Sequence, residues 1–103
     1  MSQRSLRGGE PVTVTVVFDN NNFDPSLTTG WGFAAWVEFG DDTVLFDTGA
    51  DGAVLLSNMA KLGLDPDALD IVLLSHAHGD HTGGLAALLE ANPDLTVYVP
   101  ERF

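Results

Sequence analysis

The run Ser75-His76-Ala77-His78-Gly79-Asp80-His81-Thr82 holds all three histidines of the chain and a carboxylate within positions 76 to 81. His76 and His78 are two apart, so at the extended end of a strand their rings leave on the same side, as two ligands of one ion must. Gly79 lets the backbone turn sharply, which aims Asp80 and His81 at a neighbouring point. The run therefore reads as two half-sites placed side by side. Neutral imidazole and carboxylate suit zinc, iron or manganese, and the absence of cysteine removes the thiolates that favour a closed structural zinc. The alternative is a polar loop that merely happens to be rich in histidine. Against it stands Ile71-Val72-Leu73-Leu74, a buried-type strand that delivers the cluster to its carboxyl end, where open α/β sheets place their ligand sites.

The elements that must carry this run can be read in order. Residues 1 to 10 read as a flexible arm, and residues 11 to 103 as one half-domain. Val12 to Phe18 alternates apolar residues with threonine and then turns wholly apolar, as a strand with one well-buried face does. A long polar segment from Asp19 to Gly32 follows without periodicity. Within it Phe23 and Trp31 serve either to cover a substrate pocket or to close a core edge. Phe33 to Phe39 and Thr43 to Phe46 flank Gly40-Asp41-Asp42 and predict a hairpin. The second strand runs into Asp47-Thr48-Gly49, residue types that also suit a plain turn or helix cap. Ala53 to Leu62, with Leu55, Met59 and Leu62 at helical spacing, predicts a helix closed by Gly63, with Met59 in the core. Leu64 to Asp70 is a turn with a short helical piece. Gly83 to Ala91 predicts a second helix, whose amino end would face the site and offer amides to an anionic group. Leu95 to Val99 is the last strand. The fold class is α/β in the layered α+β sense, a mixed sheet with two helices on one face.

One hundred and three residues allow one domain with a modest core, and no apolar run is long enough to span a bilayer. The amino terminus has two arginines with no apolar segment behind them, which is not a signal peptide, so a cytoplasmic protein is expected. The formal charge of −11 comes from fifteen acids against four basic residues. Such a surface repels nucleic acid and anionic membranes, so neither is an expected partner. The excess of acids with a single lysine fits either a protein of high-salt cytoplasm or an ordinary acidic protein.

The pattern His76-x-His78-x-Asp80-His81 resembles the metal-binding signature of the metallo-β-lactamase-fold superfamily, and Leu45-Phe46-Asp47-Thr48-Gly49 resembles a second stretch of it. The resemblance extends over nearly the whole chain, as the amino-terminal half of that family's αββα sandwich. Phe18-Asp19-Asn20, Trp31-Gly32, the Asp47 turn and His81-Thr82-Gly83-Gly84 look closest to a branch of dihydropterin ribofuranosyl-aminobenzene phosphate synthase-like proteins. The resemblance implies His76 and His78 as ligands of one ion and Asp80 and His81 of another, with Asp80 also the catalytic position. It implies Asp47 and Thr82 as supporting groups, Asp47 bracing the loop through hydrogen bonds instead of ligating. The implied cofactor is zinc, one or two ions per site, with iron or manganese tolerated.

The chain departs from the family in one respect. Full members carry a second half that supplies further ligands to both ions, and here no histidine lies outside the cluster. A monomer offers two ligands per ion, and such sites bind weakly. The sheet also has an uncovered apolar face, with Trp36, Phe39 and the Val12 to Phe18 strand as candidates to line it. A symmetric homodimer that rebuilds the sandwich answers both deficits. The expected function is a metal-dependent hydrolase acting on a small molecule. In it a metal-bound hydroxide attacks an ester, phosphoester or lactam, and only when a homodimer completes the site. The alternative is a non-catalytic metal-binding or assembly half-domain. A purely structural domain carries less weight. A redox role, as in di-iron members of the superfamily, stays open, although no flavin partner motif is present.

Overall fold

The computed structural model describes residues 11 to 21, 24 to 75 and 82 to 101. Its elements are β1 (Val12–Phe18), β2 (Ala34–Phe39), β3 (Asp42–Phe46), α1 (Gly52–Lys61), a 3-10 turn (Pro66–Ala68), β4 (Ile71–Leu73), α2 (Leu85–Ala91) and β5 (Thr96–Tyr98). The five strands form one sheet in the order β1-β2-β3-β4-β5, so spatial order follows chain order. β1, β2 and β3 pair antiparallel, while β3, β4 and β5 pair parallel. Each parallel step needs a crossover, and α1 and α2 provide the two. Because both crossovers advance in the same direction across the sheet and share the usual right-handed sense, both helices fall on one face. Among the described residues, nothing forms a layer over the other face.

Helix α1 forms where the sequence predicts it. The Asp51 carboxylate caps it, accepting from the amides of Ala53 at 2.8 Å and Val54 at 3.2 Å. Lys61 sits in the last turn, where the helix dipole favours a cation, and Gly63 follows the Leu62 cap at φ +75°. Leu55 and Met59 are fully buried and meet Val17, Phe18, Trp36, Leu45, Val72 and Leu88 in the core between sheet and helices.

Strand alternation sorts the residues onto two faces. Trp36, Leu45 and Val72 lie in register on the helix side; Val14, Val37, Val44 and Ile71 lie in register on the other. Two expectations change here. Trp36 does not line the open face: it is buried under the helices, with its Nε1 donating to Glu38 Oε1 at 3.1 Å. β4 is buried on one face only, since Leu73 is exposed on the open side. Phe39 does belong to that open face, with Val12, Val37, Val44, Phe46 and Leu73.

Strand directions also fix where chemistry gathers. β1, β3, β4 and β5 all run the same way, so Asp19, Asp47, Ser75 and Val99 emerge at one edge of the sheet, and the Gly40–Asp41 turn at the opposite edge. Among the described residues, no helix is long and apolar enough to cross a membrane.

Candidate functional site

The chain leaves β3 through Asp47, whose φ of 61° makes it the one non-glycine residue with positive φ among the described residues. Aspartate tolerates this left-handed conformation better than most residues, and such strain gathers at functional sites. The turn brings the Asp47 side chain across to the end of β4. There Oδ1 accepts from the Ser75 amide at 2.7 Å and Oδ2 from the Ser75 hydroxyl at 2.6 Å. These are short, charge-assisted bonds to a carboxylate that is only 1% exposed. The Asp47 amide in turn donates to the carbonyl of Leu73 at 2.8 Å. The residue immediately before the histidine run is thus fixed through both oxygens of one buried carboxylate.

The far end of the run is held by the next residue of the same turn. Thr48 is fully buried, and its Oγ1 accepts from the Gly84 amide at 3.0 Å. The Gly84 amide also reaches the Gly49 carbonyl at 3.2 Å. This approach is possible only without side chains at two consecutive positions. A Cβ on Gly83 would run into the carbonyl of Ala50, and one on Gly84 would sit 2.5 Å from the carbonyl oxygen of Thr48. Gly83-Gly84 is therefore a point of close contact, where the sequence reading places the start of a helix. α2 begins at Leu85 and has seven residues. The Gly84 amide is thereby engaged within the fold.

Residues 19 to 21 and 24 to 32 lie along the same edge and are held by side-chain bonds. Asn58, buried on the core face of α1, donates through Nδ2 to the carbonyls of Val17 and Thr28, each at 2.9 Å. Its Oδ1 accepts from the Thr28 amide at 2.9 Å. Asn20 Oδ1 accepts from the Gly32 amide at 2.9 Å. The Ser26 hydroxyl and amide both donate to Asp24, holding its carboxyl below the usual carboxylate range. Gly49 and Ala50 donate their amides to the carbonyls of Phe33 and Trp31, which fastens the segment to the Asp47 turn. The Trp31 side chain is 71% exposed at this edge, so it does not close the core.

Of the residues singled out from sequence, Asp47 and Thr82 are described, Thr82 half-buried just after the histidine run. His76, His78, Asp80 and His81 lie outside the described residues, as does Phe23. Among the described residues, no three His, Cys, Asp or Glu side chains gather as a metal group. The donor set that the turn supports, three imidazoles and one carboxylate, fits a divalent first-row ion, and both ends of the segment bearing it are anchored to residues 47 to 49. Ser75 and Thr48 carry this support and Asn58 holds the neighbouring 19 to 32 segment, and sequence reasoning gave none of the three a role. The one available signal is for Asn58, an amide standing directly before Met59 on the apolar stripe of α1.

Residues 28–103 match the family described as the metallo-beta-lactamase superfamily. The 7,8-dihydropterin-6-methyl-4-(beta-D-ribofuranosyl)-aminobenzene-5'-phosphate synthase of Methanocaldococcus jannaschii is 39% identical over 56 residues, 53% of this chain and 19% of that protein. A hydroxyacylglutathione hydrolase of Actinobacillus pleuropneumoniae is 36% identical over 78 residues, 76% of this chain and 31% of that protein. Among solved structures, the metallo-beta-lactamase fold protein YhfI of Bacillus subtilis superimposes with a TM-score of 0.63 at 29% identity, over 81% of this chain and 31% of its own. The chain thus spans 19% to 31% of the length of these proteins.

Proposed function

The chain belongs to the metallo-β-lactamase superfamily, and from that premise we propose that it is a metal-dependent hydrolase whose site is completed by a second copy of the chain. The observation that carries this reading is the pair of clamps on the histidine run, Asp47 on Ser75 and Thr48 on Gly84. His76 and His78 would hold one ion and Asp80 and His81 a second, with Asp80 also at the catalytic position. Zinc is the favoured ion, and iron or manganese fit the same donors. A bound ion supplies Lewis acidity, acidifying water and steadying negative charge on a carbonyl or phosphoryl oxygen.

The protein's own residues do the positioning. Asp47 fixes the Ser75 end; Thr48 and the two glycines fix the other end; Thr82 would support the turn between them. Support of this kind limits the loss of order when donors close on an ion. The substrate class is a small ester, thioester, phosphoester or lactam. A relative named as a hydroxyacylglutathione hydrolase, which acts on a thioester, lies within that range. A net charge of −11 disfavours nucleic acid and anionic membrane as partners, and we assign the protein to the cytoplasm.

A second reading, a metal-binding or assembly half-domain without turnover, is favoured by one observation: all three histidines lie in one run. The deciding experiment is metal analysis by native mass spectrometry together with hydrolysis of a thioester, a phosphoester and a β-lactam. Tightly held metal with turnover, both lost in Asp80→Ala while the fold persists, is the expected result. Metal without turnover selects the half-domain. Unchanged metal content in Asp80→Ala removes Asp80 from the ligand set.

A further inference from the structure

We propose that Asn58 is a positioning residue: from inside the core it latches residues 24 to 32 in place as one wall of the sheet edge where Asp47 emerges, and so sets how well that edge captures a substrate. The latch rests on the hydrogen bonds around Asn58; its link to substrate capture rests on the hydrolase reading above.

Asn58 is a polar side chain at a core position. It stands on α1 with Leu55 and Met59 and is 1% exposed. A buried amide left unpaired is costly, so this residue type in a core marks bonds that an apolar side chain could not make. Both Nδ2 protons are used, on the carbonyls of Val17 and Thr28, and Oδ1 accepts from the Thr28 amide. The first bond answers a local irregularity. Val17 falls at the register shift between Val16 and Phe18 and has no partner on β2, and its carbonyl accepts from Asn58 instead. The other two bonds treat Thr28 as a neighbouring strand would, taking its amide and its carbonyl together.

Packing does little of this holding. Thr28 is itself exposed, and along residues 24 to 29 the apolar side chains are Pro25, which is exposed, and Leu27, which is half-buried. Between the segment and the core lies a cavity of about 10 Å³, lined in part by Phe18, Leu27, Thr28 and Asn58, roughly the space of one water. A segment with few buried contacts opens at lower free energy than the core, so its position depends on directional bonds. Beyond Thr28 the segment meets the Asp47 turn, where the Ala50 amide donates to the Trp31 carbonyl at 3.1 Å. Release at Thr28 therefore loosens the wall and leaves the bonds from Ser75 to Asp47 and from Gly84 to Thr48 in place. The signature is a change in KM without a change in metal content.

The molecule contains a matched control. Asn92 is a second buried asparagine, and its Nδ2 likewise donates to two carbonyls, those of Pro66 and Leu69. These precede β4, at the end of the sheet away from Asp47. Loss of either amide lowers folding stability, but only loss of Asn58 reaches the wall.

The test uses the zinc-loaded chain. In the wild type, hydrogen exchange followed by NMR should show the Thr28 amide protected at least about 10-fold over an unstructured amide. Asn58→Ala and Asn92→Ala are compared at a temperature where circular dichroism shows both folded. Asn58→Ala should remove that protection, raise KM for a thioester by about 10-fold with kcat within about twofold, and leave zinc per chain unchanged. Asn92→Ala should leave KM and Thr28 exchange as in the wild type. Where Asn58→Ala does not fold, Asn20→Ala, an exposed change that takes the acceptor from the Gly32 amide of the same segment, should raise KM in the same sense. An unprotected Thr28 amide in the wild type, an equal rise in KM in Asn92→Ala, loss of zinc in Asn58→Ala, or an unchanged KM in whichever segment variant folds overturns the proposal. A wild-type chain that holds zinc without turnover sinks the hydrolase reading and the KM link with it. The latch is then decided by Thr28 exchange alone, and equal exchange in Asn58→Ala and Asn92→Ala overturns it.

Discussion

Val44 and Leu45 are neighbours in β3 with opposite surroundings. Leu45 points under the two helices and is fully buried, while Val44 points onto the bare face with Val37 and Phe46. The two faces of the sheet are both rich in apolar residues, so composition does not distinguish the one the helices cover from the one that stays open among the described residues. The crossovers do. Both pass on one side, and the face they cover becomes a core, while the other remains a surface of core composition.

This contrast can be broken most sharply in β3 itself. Leu45→Ala should cost about 2–5 kcal/mol in urea unfolding, because the cavity it leaves is enclosed. Val44→Ala should cost under about 1 kcal/mol at dilutions where the chain is monomeric, and should show its effect as weaker association at higher concentration. Equal losses at both positions, independent of concentration, would mean that the two faces are not different in kind.

A smaller effect is expected at the edge where the site lies. Asp47→Ala should leave the Ser75 amide and hydroxyl without their acceptor, at about 1–3 kcal/mol, and should weaken zinc binding about 10–100-fold in calorimetric titration. Asp47→Asn keeps one acceptor oxygen and tolerates positive φ, so it should recover part of both losses. Full zinc affinity in Asp47→Ala would show that the clamp does not position the run. The smallest effect is general. Raising potassium chloride from 0.1 to 1 M shortens the screening length from about 10 to 3 Å and should raise the melting temperature by about a few degrees, as self-repulsion among the acids is relieved. A fall in melting temperature would locate stabilising ion pairs in place of net repulsion.

What could be read from sequence was local. The hairpin, the α1 stripe of Leu55, Met59 and Leu62, and the donor character of residues 76 to 81 are set by neighbours within a few positions. The side taken by Trp36 was not legible, because Ala34-Ala35-Trp36-Val37 is apolar at every position and period two gives no sign. A shift in register between Val16 and Phe18 further blurs alternation in β1, where Val17 and Phe18 are both buried. The supports of the site were hidden for another reason. Asp47 meets Ser75 from 28 positions away, Thr48 meets Gly84 from 36, and Asn58 meets Val17 from 41. Gly83-Gly84 looked like a helix start because the carbonyls that require it belong to Thr48 and Ala50, far away in the chain.

That separation between donors and supports has a consequence for thermodynamic linkage. On the proposed reading all four donors lie within residues 76 to 81, so the denatured chain already presents them to an ion with no tertiary structure formed. An ion stabilises the fold only by the difference between its affinity for the native and the denatured chain. The bonds from Ser75 to Asp47 and from Gly84 to Thr48 exist in the native chain alone, so they contribute to that difference, together with any donors a second copy adds. The loss of zinc-linked stabilisation in Asp47→Ala therefore measures the share that the Asp47 clamp supplies.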